Sequence, residues 1–329
     1  MPTLIRFHRT GGPEVLQYDE VPVRPLQAGE IRLKVEAIGL NRAEIMFRGG
    51  KYVEEPLFPS PLGYEAAGVI EEVGPGVTGF KPGDLAASIP AFSMRSYGTY
   101  GDSVVLPASA MVKTPPGQSS VQAAATWMQY ATAYMMIEFG GLKAGDDVLI
   151  TAAASSVGLA AIQIANAVGA RPIATTRKSD KVQALLAAGA ASVINTKESN
   201  LVDEVSRLTE GKGANIIFDP IVGPQLAQLC EAAAESANVF VYGALSPDPA
   251  PFPLFAALGK DLTIRAYKLG LITTNPEKLA RAKAWILERL EAGQLKPIIA
   301  KLFPFRRMAD AHHFMESNEQ IGKIVITVP

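Results

Sequence analysis

The chain has 329 residues, 48% of them hydrophobic and 19% charged, with a net charge of −1 at neutral pH. That is the length of about two ordinary domains, and the balance excludes a disordered chain and a basic surface for nucleic acid or anionic lipid. The N-terminal Met-Pro-Thr-Leu-Ile-Arg-Phe-His has no long apolar core and Cys230 stands alone, so no signal peptide and no internal disulfide are expected, and a cytoplasmic location is.

Residues 1 to about 120 read as β-rich. Short alternating runs such as Ile31-Arg-Leu-Lys-Val-Glu-Ala, Ala67-Gly-Val-Ile-Glu-Glu-Val and Ser103-Val-Val-Leu-Pro are separated by turns such as Gly74-Pro-Gly and Lys81-Pro-Gly-Asp. A helix is expected to begin at Ser119 or Ser120. From Asp147 onward strands alternate with helices. The expected strands are 148–151, 172–176, 192–195, 216–218, 238–242 and 262–267, and helical patterns fall at 158–169, 180–188, 200–210 and 224–236. Such alternation predicts a parallel, doubly wound sheet. A charged amphipathic helix over 276–292 and a last strand, Gly322-Lys-Ile-Val-Ile-Thr-Val, close the chain.

The most informative stretch is Val148-Leu-Ile-Thr-Ala-Ala-Ala-Ser-Ser-Val-Gly158, followed by Leu159, Ile162, Ile164, Ala165 and Val168 at helical spacing. It reads as strand, small-residue turn and helix, in which backbone N–H groups approach a pyrophosphate at the positive helix end. Ala152, Ser155 and Gly158 stand where three glycines are usual. The motif alone leaves a ligand-free βα unit open. A membrane span over 148–170 is disfavoured by its alanines and by Thr151, Ser155, Ser156, Gln163 and Asn166.

The second strand of such a unit usually ends in an acid for the ribose 2′-hydroxyl of NAD. Here Thr175, Thr176, Arg177 and Lys178 stand at that place, with Lys181 just beyond. Hydroxyls and a guanidinium suit a 2′-phosphate, so NADPH is expected rather than NADH. Asp180 is assigned to capping the next helix.

With these residues, the chain resembles the medium-chain dehydrogenase/reductase superfamily, and within it the zinc-independent, zeta-crystallin-like quinone oxidoreductase branch. The resemblance runs through Gly11-Gly-Pro-Glu-Val-Leu, Gly39-Leu-Asn-Arg-Ala-Glu and Gly63-Tyr-Glu-Ala-Ala-Gly-Val-Ile-Glu-Glu-Val-Gly. It continues in Phe80-Lys-Pro-Gly-Asp, the turn at 152–158, Leu186-Ala-Ala-Gly-Ala and Gly322-Lys-Ile-Val. It implies an α/β protein of two parts. One is a GroES-like β-rich catalytic domain, residues 1–122 and 268–329; the other is a Rossmann domain with a six-stranded parallel sheet, residues 123–267.

Zinc-bearing relatives hold the metal with Cys, His and Cys or Glu. This chain has Asn41, Tyr64 and the Trp127-Met-Gln129 segment at those positions, so no metal is expected. The acceptor must then delocalise the arriving charge itself, as a quinone or α,β-unsaturated carbonyl does. The resemblance implies that Asn41, Tyr52 and Tyr64 line the substrate pocket, with Asn41 or Tyr52 donating to the substrate oxygen and Tyr52 able to pass a proton. For the cofactor it implies Thr132 at the nicotinamide, Ser155, Ser156, Val157 and Gly158 at the pyrophosphate, and Thr176, Arg177 and Lys181 at the 2′-phosphate. Gly243, Ala244 and Leu245 follow near the ribose and nicotinamide, and Lys323 reaches toward the phosphates. Met46 departs from relatives with tyrosine there, and 92–101 reads as a pocket-shaping loop. No histidine receives a role. A homodimer through the edge strand 262–267 is implied as well. Reduction of an enone, alkenal or enoyl thioester, and a non-catalytic cofactor-binding protein of the same fold, stand as alternatives.

Overall fold

A computed structural model describes residues 1–329. Its strands are β1 (Thr3–Phe7), β2 (Leu16–Glu20), β3 (Glu30–Gly39), β4 (Glu65–Val73), β5 (Leu85–Ser88), β6 (Ser103–Pro107) and β7 (Met111–Lys113). The series continues with β8 (Asp147–Ile150), β9 (Arg171–Thr176), β10 (Ser192–Asn195), β11 (Ala214–Asp219), β12 (Ala233–Val241) and β13 (Thr263–Ala266), and ends with β14 (Ile299–Pro304) and β15 (Lys323–Thr327). The chain forms two compact units, Met1–Met128 with Pro297–Pro329, and Gln129–Lys296.

The first unit is a largely antiparallel sheet in the order β14-β15-β3-β4-β5-β7, with β6 also paired to β3 and β1 paired to β2. β3 is the spine. Its alternating Ile31, Leu33, Val35 and Ala37 are buried together with Ile5, Phe7, Phe47, Leu62, Ile70 and Leu106, as alternation predicts for a half-covered sheet. Gly39 ends the strand where the backbone closes on its neighbour. A Cβ there would lie 1.9 Å from the Ala124 carbonyl oxygen and 2.9 Å from Lys323 Cε.

The second unit is a six-stranded sheet in the order β10-β9-β8-β11-β12-β13, parallel throughout. The first strand, β8, is central and the order reverses beside it, the arrangement of a doubly wound dinucleotide fold. Val148, Leu149, Ile150, Ile216, Ile217 and Phe218 are fully or nearly fully buried, which explains why these strands read as continuous apolar runs.

Two expectations shift. The return to the β-rich part falls at Pro297 rather than at 268. The helix Pro276–Glu291 belongs to the second unit, where Trp285 packs on Tyr134 with ring centroids 5.8 Å apart and Arg281 pairs with Glu138. The helical pattern over 224–236 also overshoots. The helix is Gln225–Glu231, and β12 begins at Ala233. Glu-Ala-Ala-Ala carries no periodicity that marks where helix yields to strand, and tertiary pairing with β11 decides it. No helix is long and apolar enough to cross a membrane.

Candidate active site

In the first unit, the segment after β3 turns at Asn41 into the helix Arg42–Arg48, with Asn41 as its N-cap. The fully buried Glu44 carboxylate faces back across this turn. It accepts from the Asn41 backbone N–H (2.7 Å), the Asn41 side-chain amide (3.0 Å), the Tyr64 N–H (3.1 Å) and the Tyr100 hydroxyl (2.7 Å). Four donors converge on it, an arrangement that stabilises the ionised carboxylate. Burial raises its pKa, while the Tyr100 and Asn41 hydrogen bonds and the Lys323 charge oppose that rise.

Behind Glu44 the polar chain continues. His312 Nε2 lies 3.0 Å from the Tyr100 hydroxyl, and its Nδ1 lies 2.6 Å from Arg48 Nη1. A guanidinium only donates, so Nδ1 accepts and the ring proton belongs on Nε2, directed at Tyr100. Arg48 also donates to the Gly11 carbonyl and pairs with Glu316, whose side chain is 32% exposed. Burial, then the nearby Arg48 and His313 charges, pushes His312 down to about 3. His312, for which no role was expected, is therefore a buried neutral link.

On the other side, Lys323 carries an ammonium with no exposed surface, donating to Asn41 Oδ1 (2.6 Å) and to Glu65. Glu65 further accepts from the Met128 N–H (2.7 Å). Asn41 ties the turn: its amide donates to Glu44 and to the Gly39 carbonyl, and its oxygen accepts from Lys323. The Lys323 ammonium lies inside the same unit, between Asn41 and Glu65. This donor set does not fit zinc, since Asn41 and Glu65 already share a buried cation and Tyr64 is a phenol.

The remaining expected pocket residues do meet. The Tyr52 and Tyr64 hydroxyls are 3.4 Å apart. Phe47 lies edge-on to Tyr52 with centroids 6.1 Å apart, and Phe92 lies against Tyr64 at 5.6 Å and Tyr97 at 6.1 Å. Burial raises the pKa of both phenols, so at neutral pH each keeps its proton and acts as a hydrogen-bond donor. Phe92 and Tyr97 come from the loop expected to shape a pocket.

In the second unit, β8 leads through Thr151–Ala154 to Ser155, which caps the helix Ser156–Val168 by accepting from Gly158 N–H at 3.1 Å. Ala152 takes φ +45°, the left-handed conformation that the missing first glycine would adopt freely. Gly158 is required by space: a Cβ would sit 2.6 Å from Ala153 Cα. Ser156 and Val157 lie in the first turn, where N–H groups lack helical acceptors. Across the sheet, the buried Asp219 at the end of β11 accepts from Thr151, from Ile221 and Val222 N–H and from Gln225, which pins the turn. Gly243 packs on Pro220, and Ala244 and Leu245 are exposed after β12. The Tyr242 hydroxyl is buried beside Ser155. A sheet edge with tight turns and a helix start whose first N–H groups are free fits a dinucleotide.

At the end of β9, Thr176 is buried, its hydroxyl accepting from Lys178 N–H at 3.1 Å, and Arg177 is exposed. Lys181 is buried. Asp180 lies within the single turn Ser179–Lys181 rather than capping a helix. Thr132 is buried on the helix Trp127–Ala133.

Comparison with known proteins agrees with both units. Residues 27–116 match the alcohol dehydrogenase GroES-like domain family and residues 156–287 the zinc-binding dehydrogenase family. A 2-haloacrylate reductase of Burkholderia sp is 30% identical over 97% of this chain and 97% of its own. Among solved structures, Escherichia coli quinone oxidoreductase complexed with NADPH superposes with a TM-score of 0.91 at 30% identity, covering 99% of each chain. An NAD-dependent alcohol dehydrogenase does so at 0.91 and 32%, covering all of both.

The His312 environment makes stability pH-dependent. The ring is neutral when folded and takes a proton on unfolding below its ordinary pKa of about 6.5, so its contribution is whole above that pH and is lost progressively toward pH 3. Urea unfolding is expected to show a loss from this group of up to about 1.4 kcal/mol per pH unit in that window. His312→Gln should remove that share of the slope; an unchanged slope would mean that His312 titrates normally.

Proposed function

Because this chain belongs to the medium-chain dehydrogenase/reductase superfamily, in its quinone oxidoreductase branch, we propose that it is an NADPH-dependent oxidoreductase that reduces a quinone without a metal. The observation that carries the reading is the pair of protonated tyrosine hydroxyls in an aromatic setting, beside Asn41 and Glu65, which share the buried Lys323 ammonium. NADPH, when bound, supplies hydride. Ser155 to Gly158 would hold its pyrophosphate at the helix start, and Thr132 and the 243–245 turn its nicotinamide half. The Thr176 hydroxyl and the exposed Arg177 guanidinium would take the 2′-phosphate through charge-assisted hydrogen bonds.

Tyr52 would donate to the acceptor oxygen as negative charge develops there, and Tyr64 would orient Tyr52. A phenol whose pKa is raised is a poor acid, so Tyr52 serves as a hydrogen-bond donor and solvent delivers the proton. Phe92 and Tyr97 would offer faces to a flat acceptor and exclude water, with the buried Phe47 backing Tyr52. Reduction of an activated double bond is the second reading, favoured by the Burkholderia relative named for 2-haloacrylate. The protein is taken to be cytoplasmic and homodimeric. The edge strand β13 lies beside the helix Leu254–Gly259, which buries none of its residues, and Phe255 is 87% exposed. Apolar exposure of that kind marks a partner surface.

Four outcomes test this reading. Arg177→Ala should weaken NADPH binding by about 1–3 kcal/mol and leave NADH nearly unchanged in fluorescence titrations; equal losses would remove the 2′-phosphate contact. NADPH oxidation with 1,4-benzoquinone, 9,10-phenanthrenequinone, an enone, an alkenal and a crotonyl thioester should be fastest on a quinone. Tyr52→Phe should lower that rate by about ten- to a hundredfold. Faster turnover of the enone or thioester selects the second reading, and cofactor binding without turnover on any acceptor selects a binding protein. Sedimentation equilibrium should give a dimer, and a monomer at micromolar concentration would exclude the edge-strand pairing.

A further inference from the structure

We propose that Glu44 is a positioning residue for this reaction: its buried carboxylate ties the helix that leads into Tyr52 to the backbone of Tyr64, and so sets the spacing of the two hydroxyls. The inference rests on the reading of Tyr52 and Tyr64 given above. Its geometric basis is independent of that reading. One Glu44 oxygen accepts from Tyr64 N–H (3.1 Å) and the Asn41 amide, the other from the Asn41 backbone (2.7 Å). At the far end of the same helix, Gly50 N–H bonds to Phe47 O (3.1 Å) and Lys51 N–H to Met46 O (2.8 Å), so the chain leaving the helix delivers Tyr52 against Phe47. Both tyrosines are thus referred to one carboxylate.

The second half of the inference concerns what keeps Glu44 in the form that can accept four hydrogen bonds. The titratable and charged groups around this cluster are Arg42 and Arg48 on its own helix, Tyr52 and Glu54 after it, Tyr64 just before β4 and Glu65 at its start. Tyr100 before β6, Lys323 on β15, and His312, His313 and Glu316 on the helix Met308–Glu316 also face it. Of these only Tyr100 donates a hydroxyl to Glu44, and His312 fixes the direction of that hydroxyl by donating to its oxygen while accepting from Arg48. Without the Tyr100 hydroxyl the carboxylate loses a stabilising donor and takes a proton at higher pH. The protonated form then brings its own O–H against the Asn41 and Tyr64 N–H donors, and the tie loosens. Activity should therefore fall on the acid side.

The test is the pH profile of NADPH-dependent quinone reduction by the full-length protein, with amide hydrogen exchange of Tyr64 measured in parallel. In Tyr100→Phe the acid limb of kcat should move up by about one pH unit, turnover on that limb should fall about tenfold with KM for NADPH unchanged, and the Tyr64 amide should exchange about tenfold faster. His312→Gln, which leaves the Tyr100 hydroxyl in place, should give a smaller shift in the same direction and serves if Tyr100→Phe does not fold. A Tyr100→Phe profile superimposable on the wild type, even at lower melting temperature, would overturn the positioning role. If the wild type reduces no acceptor, the functional reading fails by itself; the exchange measurement then stands alone, and a Tyr64 amide exchanging at the wild-type rate overturns the tie.

Discussion

Two buried cations and two buried carboxylates organise the β-rich unit. Taking an ion out of water costs several kcal/mol unless its partners replace the lost hydration. Here each does: Lys323 lies between Glu65 and Asn41, Glu44 collects four donors, and Arg48 reaches Gly11, His312 and Glu316. Breaking one link would leave an uncompensated charge in the core, so the cluster is satisfied as a whole or not at all. It draws on β3's end, the helix Arg42–Arg48, β4, the segment before β6, the helix Met308–Glu316 and β15. The two tyrosine hydroxyls sit at its margin, and their spacing inherits its rigidity.

The second unit depends on a different constraint, the tightness of the turn after β8. Ala152 holds a left-handed backbone that glycine would adopt at less cost, and Ser155 gives up glycine's freedom for a capping hydroxyl. Only Gly158 is dictated by space, because the helix comes within a Cβ's reach of Ala153. The degenerate fingerprint therefore keeps the one glycine that packing demands. Asp219 and Thr151 supply the remaining rigidity from the neighbouring strand.

Much of this was legible in the sequence. Alternation of apolar runs with helical patterns after Asp147 sufficed for the parallel sheet, since buried parallel strands have few other ways to look. Resemblance named Tyr52 and Tyr64 as pocket residues; the approach of their hydroxyls came from the structure. The polar cluster was not legible, because its partners are far apart in the chain: Arg48 and His312 are separated by 264 positions, and Asn41 and Lys323 by 282. No local pattern marks such pairs. A histidine on a short helix gives no sign that its neighbours are an arginine and a tyrosine. Asn41 and Lys323 were read separately, as a pocket residue and a phosphate contact, and nothing in the sequence signalled that they hydrogen-bond to each other.

The central claim is that hydride passes from NADPH to an acceptor that needs no metal to polarise it. The most direct measurement is the rate of NADPH oxidation at 340 nm with 1,4-benzoquinone, before and after exhaustive chelation and with NADH in parallel. The account predicts a rate indifferent to the chelator and much lower with NADH. A rate lost on chelation and restored by zinc, or one equal for both nucleotides, would contradict it.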